Sequence, residues 1–219
     1  MMRRVKFAGR EFDLTLFLGM VSIMIVVITM TYIIADYQNR IKLQEVRVVY
    51  EEKIEFVTSQ AKKFVDNMSM ALTYLDTARD DLKNAKINLE KANFWFERKD
   101  YEKTKNLTFD AKFYFNRSNY VFKKALHYML LSTNSSTEEY SVILELYINY
   151  THSAINLTYY GNLMSWHLEN ASIYYQDGEN AKASHEMDIF NELSPYYNQF
   201  DQEMENYMRE IKFYYGIRE

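Results

Sequence analysis

Near its N-terminus the chain carries 22 consecutive residues without a charge, from Leu14 to Ala35. A bilayer core of about 30 Å is crossed by roughly 20 helical residues at ~1.5 Å each, so this run predicts a transmembrane helix. A cleaved secretory signal is the first alternative. It needs a shorter apolar core and a small residue at the third position before the cut, where Ile33 stands if Ala35 is the last residue removed.

A pilin-like leader cut at Gly9 is the second alternative. It would leave Arg10, Glu11 and Asp13 at the start of a segment that should be apolar. The uncleaved membrane anchor therefore fits the sequence best.

The charges that flank this apolar run predict its orientation. Arg3, Arg4, Lys6 and Arg10 precede it, whereas the first basic residue after it is Arg40. Basic residues concentrate on the cytoplasmic side of membrane helices. Residues 1–13 are therefore expected to be a basic cytoplasmic N-terminus, followed by a transmembrane helix over 14–35 and a C-terminal region outside the cell.

The residues that build turns and crosslinks are scarce in this chain. Among its 219 residues are 5 Gly, 1 Pro and no Cys. Few turns favour an all-α fold, and the absence of disulfides requires that packing alone hold the fold together. The 20 Tyr and 14 Phe supply large rings for that packing. A formal net charge of −4 gives no indication of a nucleic-acid partner.

Apolar and small residues recur at alternating spacings of three and four between Ile54 and Ala92. This pattern predicts a long helix with a heptad seam that continues from the membrane to about Arg98. Similar seams predict three further helices, which are separated by a turn at Lys99-Asp100, a polar loop over 132–137 and a turn at Asp177-Gly178. The seam of the last helix keeps its phase across Pro195, which predicts a kink or a restart there.

Two segments of the chain resemble each other at an offset of 79 residues. Leu89–Phe96 aligns with Leu168–Tyr175, and the alignment continues without a gap to Lys103 and Lys182. Duplication and convergent helix–turn–helix chemistry both explain the match. In either case residues 59–219 are expected to form an extracellular four-helix bundle made of two αα-hairpins.

The predicted helix lengths leave residues 36–58 as a helical stalk of some 35 Å at ~1.5 Å per residue. An apolar stripe follows the stalk, and an isolated helix would leave it in water. The predicted interface residues are Leu43, Val46, Tyr50 and Ile54, with Val49 beside them. We expect this stripe to contact another copy of the chain or another membrane protein. Alternatively, the C-terminal residues 211–217 cover it.

Asn-x-Ser/Thr acceptors for N-glycosylation are more frequent than chance predicts. With 17 Asn and 25 Ser and Thr among 219 residues, about two are expected, and the chain has seven. All seven follow the apolar run: Asn67, Asn106, Asn116, Asn134, Asn149, Asn156 and Asn170. The helical register places five of them on outer faces or in the polar loop, as glycans require.

Candidate chemistry is absent from the sequence patterns. The four His residues are scattered, and neither Glu-x-x-His pairs nor a phosphate-binding loop occurs. The clustered aromatic residues, such as Phe94-Trp95-Phe96 and Tyr174-Tyr175, are expected to cap the bundle and cover its kink. The alternative is that they bind a ligand. The sequence thus predicts neither an enzyme nor a bound metal or cofactor.

The sequence favours a membrane-anchored, N-glycosylated surface protein that serves as a structural or accessory subunit of a cell-envelope or membrane complex. The alternative is a ligand-binding ectodomain that resembles the sensor half of chemoreceptors. It would signal through a partner, because residues 1–13 contain no output domain. Many acceptors together with no cysteine are typical of an archaeal surface protein.

Overall fold

The computed structural model describes residues 4–7 and 10–216. Arg3, Gly9 and Ile217, which figure in the sequence predictions, lie outside the described residues. Two strands precede four helices: β1 (Arg4–Phe7), β2 (Arg10–Asp13), α1 (Leu14–Glu97), α2 (Tyr101–Thr133), α3 (Glu138–Gln176) and α4 (Asn180–Tyr214). The prediction of a helical fold is confirmed by these four helices. The chain divides into two compact units between Thr58 and Ser59, and α1 contributes to both.

The strands β1 and β2 form an antiparallel pair that the sequence analysis did not predict. Their register places Arg4 opposite Asp13 and Lys6 opposite Glu11.

The long N-terminal helix α1 covers 84 residues without a break. Within the described part of the chain, this is the one helix long and apolar enough to cross a bilayer, and its most apolar window reaches a mean hydropathy of 2.0. The predicted continuation of an apolar N-terminal helix into a long helix is therefore confirmed.

The second unit is a helical bundle whose core follows the predicted seams. On α1 the seam residues from Ala71 to Ala92 are buried, whereas Ile54, Val57 and Ala61 at its start are exposed. The largest fully buried side chains include Phe115 and Phe122 of α2 and Leu144, Leu157 and Leu168 of α3. Heptad spacing thus identified the core of the bundle.

Hydrogen bonds between the helices show that successive helices of the bundle run in opposite directions. Ser118 Oγ of α2 donates to the Ala78 carbonyl of α1 at 2.7 Å, and Thr104 Oγ1 donates to the Ala92 carbonyl at 3.4 Å. Because residue numbers rise along one helix as they fall along the other, α1 and α2 are antiparallel. Equivalent contacts relate α2 to α3 and α3 to α4.

The turns at Lys99 and Gly178 have the same backbone geometry. Lys99 has φ 61° and Gly178 has φ 78°. The amide of Asp100 donates to the Trp95 carbonyl at 3.1 Å, and that of Glu179 donates to the Tyr174 carbonyl at 2.8 Å. Both α1 and α3 therefore end in a Schellman motif, in which Lys99 or Gly178 has the left-handed backbone conformation. Both predicted turns are confirmed.

The two halves of the bundle repeat at the offset of 79 residues noted in the sequence. Lys103 lies over the Trp95 ring at 4.0 Å, and Lys182 lies over the Tyr174 ring at 5.4 Å. Phe96 contacts its own counterpart Tyr175, with ring centroids 5.8 Å apart. The buried seam of α1 has a buried counterpart 79 residues later at every position: Ala71, Leu75, Ala78, Leu82, Ala85, Leu89 and Ala92 match Tyr150, Ala154, Leu157, Gly161, Met164, Leu168 and Ala171. The hairpins are thus equivalent in packing as well as in sequence.

Pro195 lies inside α4, which continues from Asn180 to Tyr214. No new helix begins at Ser194, so the restart considered from the sequence does not occur. Proline lacks the amide hydrogen that would bond to the carbonyl four residues earlier, and an exposed position such as this one leaves that carbonyl to solvent.

Candidate interaction surfaces

The predicted stalk residues lie on a helix whose side chains are exposed on every side from residue 19 to residue 59. The exposed fractions are 69% for Leu43, 52% for Val46, 63% for Tyr50 and 64% for Ile54. At about 100° per residue these four positions fall within one narrow face of α1. The structure therefore places the four predicted interface residues together on one exposed face of α1, called the stripe below.

The described C-terminal residues belong to the bundle. Ile211 is buried in the core of the second unit, whereas the side chains of Phe213 and Tyr215 are exposed. The alternative role of this segment as a cover for the stripe thus gains no support from Ile211.

None of the seven predicted glycosylation acceptors is buried. Asn106, Asn116, Asn134 and Asn156 are exposed, and Asn67, Asn149 and Asn170 are partly exposed. Every acceptor side chain therefore reaches solvent, but six of the seven lie within helices.

The Ser or Thr that completes each acceptor motif is less exposed than the Asn in most of the motifs. In five motifs it is fully buried in the core of the bundle: Thr108, Ser118, Thr151, Thr158 and Ser172. Two residues along a helix correspond to a rotation of about 200°, so an outward Asn places the hydroxyl residue of its motif inward. Small hydroxyl residues on the buried seams thus account for part of the excess of motifs.

An ion pair or a hydrogen-bonded pair of polar side chains joins each pair of neighbouring helices in the bundle. Two bonds of 2.6 Å link Asp81 of α1 to Arg117 of α2, and Lys112 of α2 pairs with Glu169 of α3. Toward α4, His167 Nδ1 of α3 lies 2.6 Å from Glu186. The ring is closed by Lys86 of α1, which lies 2.5 Å from Asp201 of α4. These pairs favour one order and one register of the helices. The sequence analysis did not identify them, because pairing between helices depends on relative register.

A groove of about 730 Å³ lies between α1, α3 and α4 beside the last of these pairs. Two cationic side chains that line the groove have partners within the bundle. Lys86 binds Asp201, and Arg79 Nε donates to the Tyr150 hydroxyl at 2.9 Å. Burial raises the pKa of Tyr150, although the nearby Arg79 opposes the shift. Burial also raises the pKa of Tyr197, and the charges of Asp201 and Glu90 add to the effect. The groove thus contains neutral phenols and paired charges, which hold the helices together.

Clusters suited to metal binding are absent from the described residues, in which no three His, Asp or Glu side chains converge. His127, His152 and His185 are exposed, and His167 serves the pair with Glu186.

Comparison of the chain with protein-family models, with curated proteins and with solved structures gave no match. A function is therefore proposed from the chain's own residues alone.

Proposed function

We propose that this protein is a membrane-anchored surface glycoprotein that serves as a structural or accessory subunit of a membrane or envelope complex. The observation that supports this proposal most strongly is the exposed apolar stripe on α1. The apolar N-terminal part of the same helix would cross the bilayer, and the stripe would contact a partner beside the membrane.

The size of the stripe supports a helix as the partner. Leu43, Val46, Tyr50 and Ile54 are spaced by three, four and four residues, which keeps them on one face of a helix that can pack against another helix. Burying one large apolar side chain contributes about 1.5–3 kcal/mol. Four such residues are enough to hold a helix whose partner is confined to the same membrane. The partner is either a second copy of this chain or another membrane protein.

The orientation and the sugars belong to the same proposal. The basic residues that precede the apolar segment favour a cytoplasmic N-terminus, which places the bundle and all acceptor asparagines outside. The acceptors' contact with solvent is consistent with glycans on that side.

Site-specific photo-crosslinking in the native membrane tests the proposed contact. A photoreactive residue is placed at Val46 or Tyr50 on the stripe and, as matched controls, at Glu45 or Glu52. These controls lie about 180–200° away from Leu43 on the same exposed helix. We expect strong crosslinks from the stripe and weak ones from the controls, with the crosslinked protein identified by mass spectrometry.

The crosslinked product distinguishes the possible partners. A product of twice the chain's mass indicates a second copy, and a different stoichiometric protein identifies the complex. Equal labelling from both faces, or crosslinks to lipid alone, would show that the stripe has no protein partner and would contradict the proposed role.

A further inference from the structure

The seven acceptor motifs differ in whether the folded chain leaves the whole motif accessible. In five of them the hydroxyl residue is fully buried, and its hydroxyl has a partner within the bundle. Ser118 Oγ donates to the Ala78 carbonyl at 2.7 Å, and Ser172 Oγ donates to the Leu168 carbonyl at 2.8 Å. A modifying enzyme that must recognise Asn and hydroxyl together cannot reach both on the folded bundle.

Asn67 and Asn134 begin the two motifs whose hydroxyl residue is not buried. Asn67 and Ser69 lie in the middle of α1, where continuous helical hydrogen bonds hold the backbone. Asn134 begins the connection between α2 and α3, outside both helices, and its side chain is exposed. A surface loop is the usual location of a modified acceptor.

Only short-range bonds hold the connection at Asn134. The Ser135 amide donates to the Ser132 carbonyl at 3.0 Å, and the Ser136 amide donates to the Thr133 carbonyl at 3.4 Å. Ser136 Oγ donates to the Thr133 carbonyl at 3.1 Å and is partly exposed. Bonds of this kind can open without unpacking the bundle, because none of them joins two helices.

We infer that Asn134 is the acceptor that receives the glycan on the folded protein. This inference rests on the proposed function as a surface glycoprotein. The donor is an oligosaccharide linked to a lipid phosphate. The amide nitrogen of Asn134 forms a bond to the anomeric carbon, the bond from that carbon to the phosphate oxygen breaks, and the lipid phosphate leaves as the amide loses a proton. The five motifs with buried hydroxyls are modified only before the helices pack.

Transfer of sugar to the purified full-length chain tests this inference. The chain in mild detergent, folded or unfolded in urea and then diluted, is given to an oligosaccharyltransferase with a lipid-linked oligosaccharide, and occupied sites are identified by peptide mass spectrometry. On the folded chain we expect one glycan, at Asn134. Asn134→Gln and Ser136→Ala should each abolish it, whereas Ser118→Ala, which removes the motif at Asn116, should leave it unchanged.

Other outcomes are equally decisive. Modification of Asn116, Asn156 or Asn67 on the folded chain as fast as Asn134, or of no site on the folded chain while the unfolded chain is modified, would overturn the inference. The crosslinks from Val46 do not depend on sugar, so they separate failure of this inference from failure of the accessory-subunit proposal.

Discussion

Gly161 of α3 lies directly against the ring of Phe115 on α2. A Cβ atom added at this position would overlap three atoms of that ring. Phe115 is itself fully buried and packs edge-on against Tyr197, with ring centroids 6.3 Å apart. The ring therefore has little room to move away, and glycine is required here by packing between helices.

Gly161→Ala is expected to lower the free energy of unfolding by about 1–3 kcal/mol because of this overlap. The loss should appear although alanine is favoured over glycine by about 1 kcal/mol in a helix. Urea denaturation measures it. The double variant Gly161→Ala/Phe115→Leu should lose less than the sum of its two single variants, and a single Gly161→Ala variant as stable as the wild type would refute the assigned packing.

Lys99 and Gly178 occupy the same left-handed position in the two equivalent turns. A non-glycine residue in this conformation costs about 1–2 kcal/mol. Lys99→Gly should therefore raise the stability of the bundle by up to about 1 kcal/mol, and Gly178→Ala should lower it by about the same amount. Thermal unfolding of both variants measures the two effects. Shifts of the same sign would contradict the equivalence of the turns.

Between helices, the charged pairs provide a test of register. Lys86 and Asp201 are each about 70% shielded from solvent and join α1 to α4. Because each partner left alone would be a partly buried unpaired charge, Lys86→Met and Asp201→Asn should each destabilise the bundle. The double variant should show a coupling of about 0.5–3 kcal/mol. Strict additivity in this double-mutant cycle would mean that the pair does not form in solution.

The helices were predictable from the sequence because one periodic signal determines both their existence and their buried faces. The seam from Ala71 to Ala92 and the turns at Lys99 and Gly178 were found where heptad spacing and turn residues predicted them. Local signals of this kind need no knowledge of neighbouring helices. The charged pairs between helices were missed, since they depend on how far one helix is shifted along another.

The strand pair at the N-terminus was missed for a different reason. Arg4–Phe7 alternates basic and apolar residues, which is the pattern of a strand. The scarcity of glycine in the whole chain argued against hairpins, but a single turn needs few special residues. The glycine content of the whole chain is therefore a poor guide to whether one short hairpin forms.

The acceptor motifs show how two apparently independent signals can share one origin. In the sequence, the excess of motifs and the outward register of the asparagines look like separate support for glycosylation. In the structure, an outward Asn116 and an inward Ser118 are both consequences of the same helical rotation. Glycosylation stays a prediction, and the accessible motif at Asn134 is its sharpest test.

The bundle as a whole should lose stability in alkaline solution. Burial, reinforced by Tyr215, raises the pKa of Tyr147 to about 12 from the ordinary value of 10.0, and burial also raises the pKa of Tyr150 and Tyr197. The unfolded chain therefore loses these protons at a lower pH than the folded chain does. Their contribution is fully present below about pH 10 and is lost as the pH rises toward 12.

Denaturant midpoints measured between neutral and strongly alkaline pH check this expectation. The midpoint should begin to fall near pH 10, and the fall should be shallower in Tyr197→Phe, which cannot ionise there. Tyr159→Phe serves as the matched control, because Tyr159 is exposed. A midpoint that stays constant through this range would contradict the burial of the three phenols.

At one set of corresponding positions the two equivalent hairpins use different contacts between their helices. Asp81 and Arg117 form a charged pair in the first hairpin, and the residues 79 positions later, Tyr160 and Tyr196, form a ring stack with centroids 5.4 Å apart. Each of these contacts closes its own hairpin, so the two halves of the bundle are held by interactions of a different chemical kind. Added salt, which screens the charged pair and leaves the ring stack unaffected, is therefore expected to weaken the first hairpin more than the second.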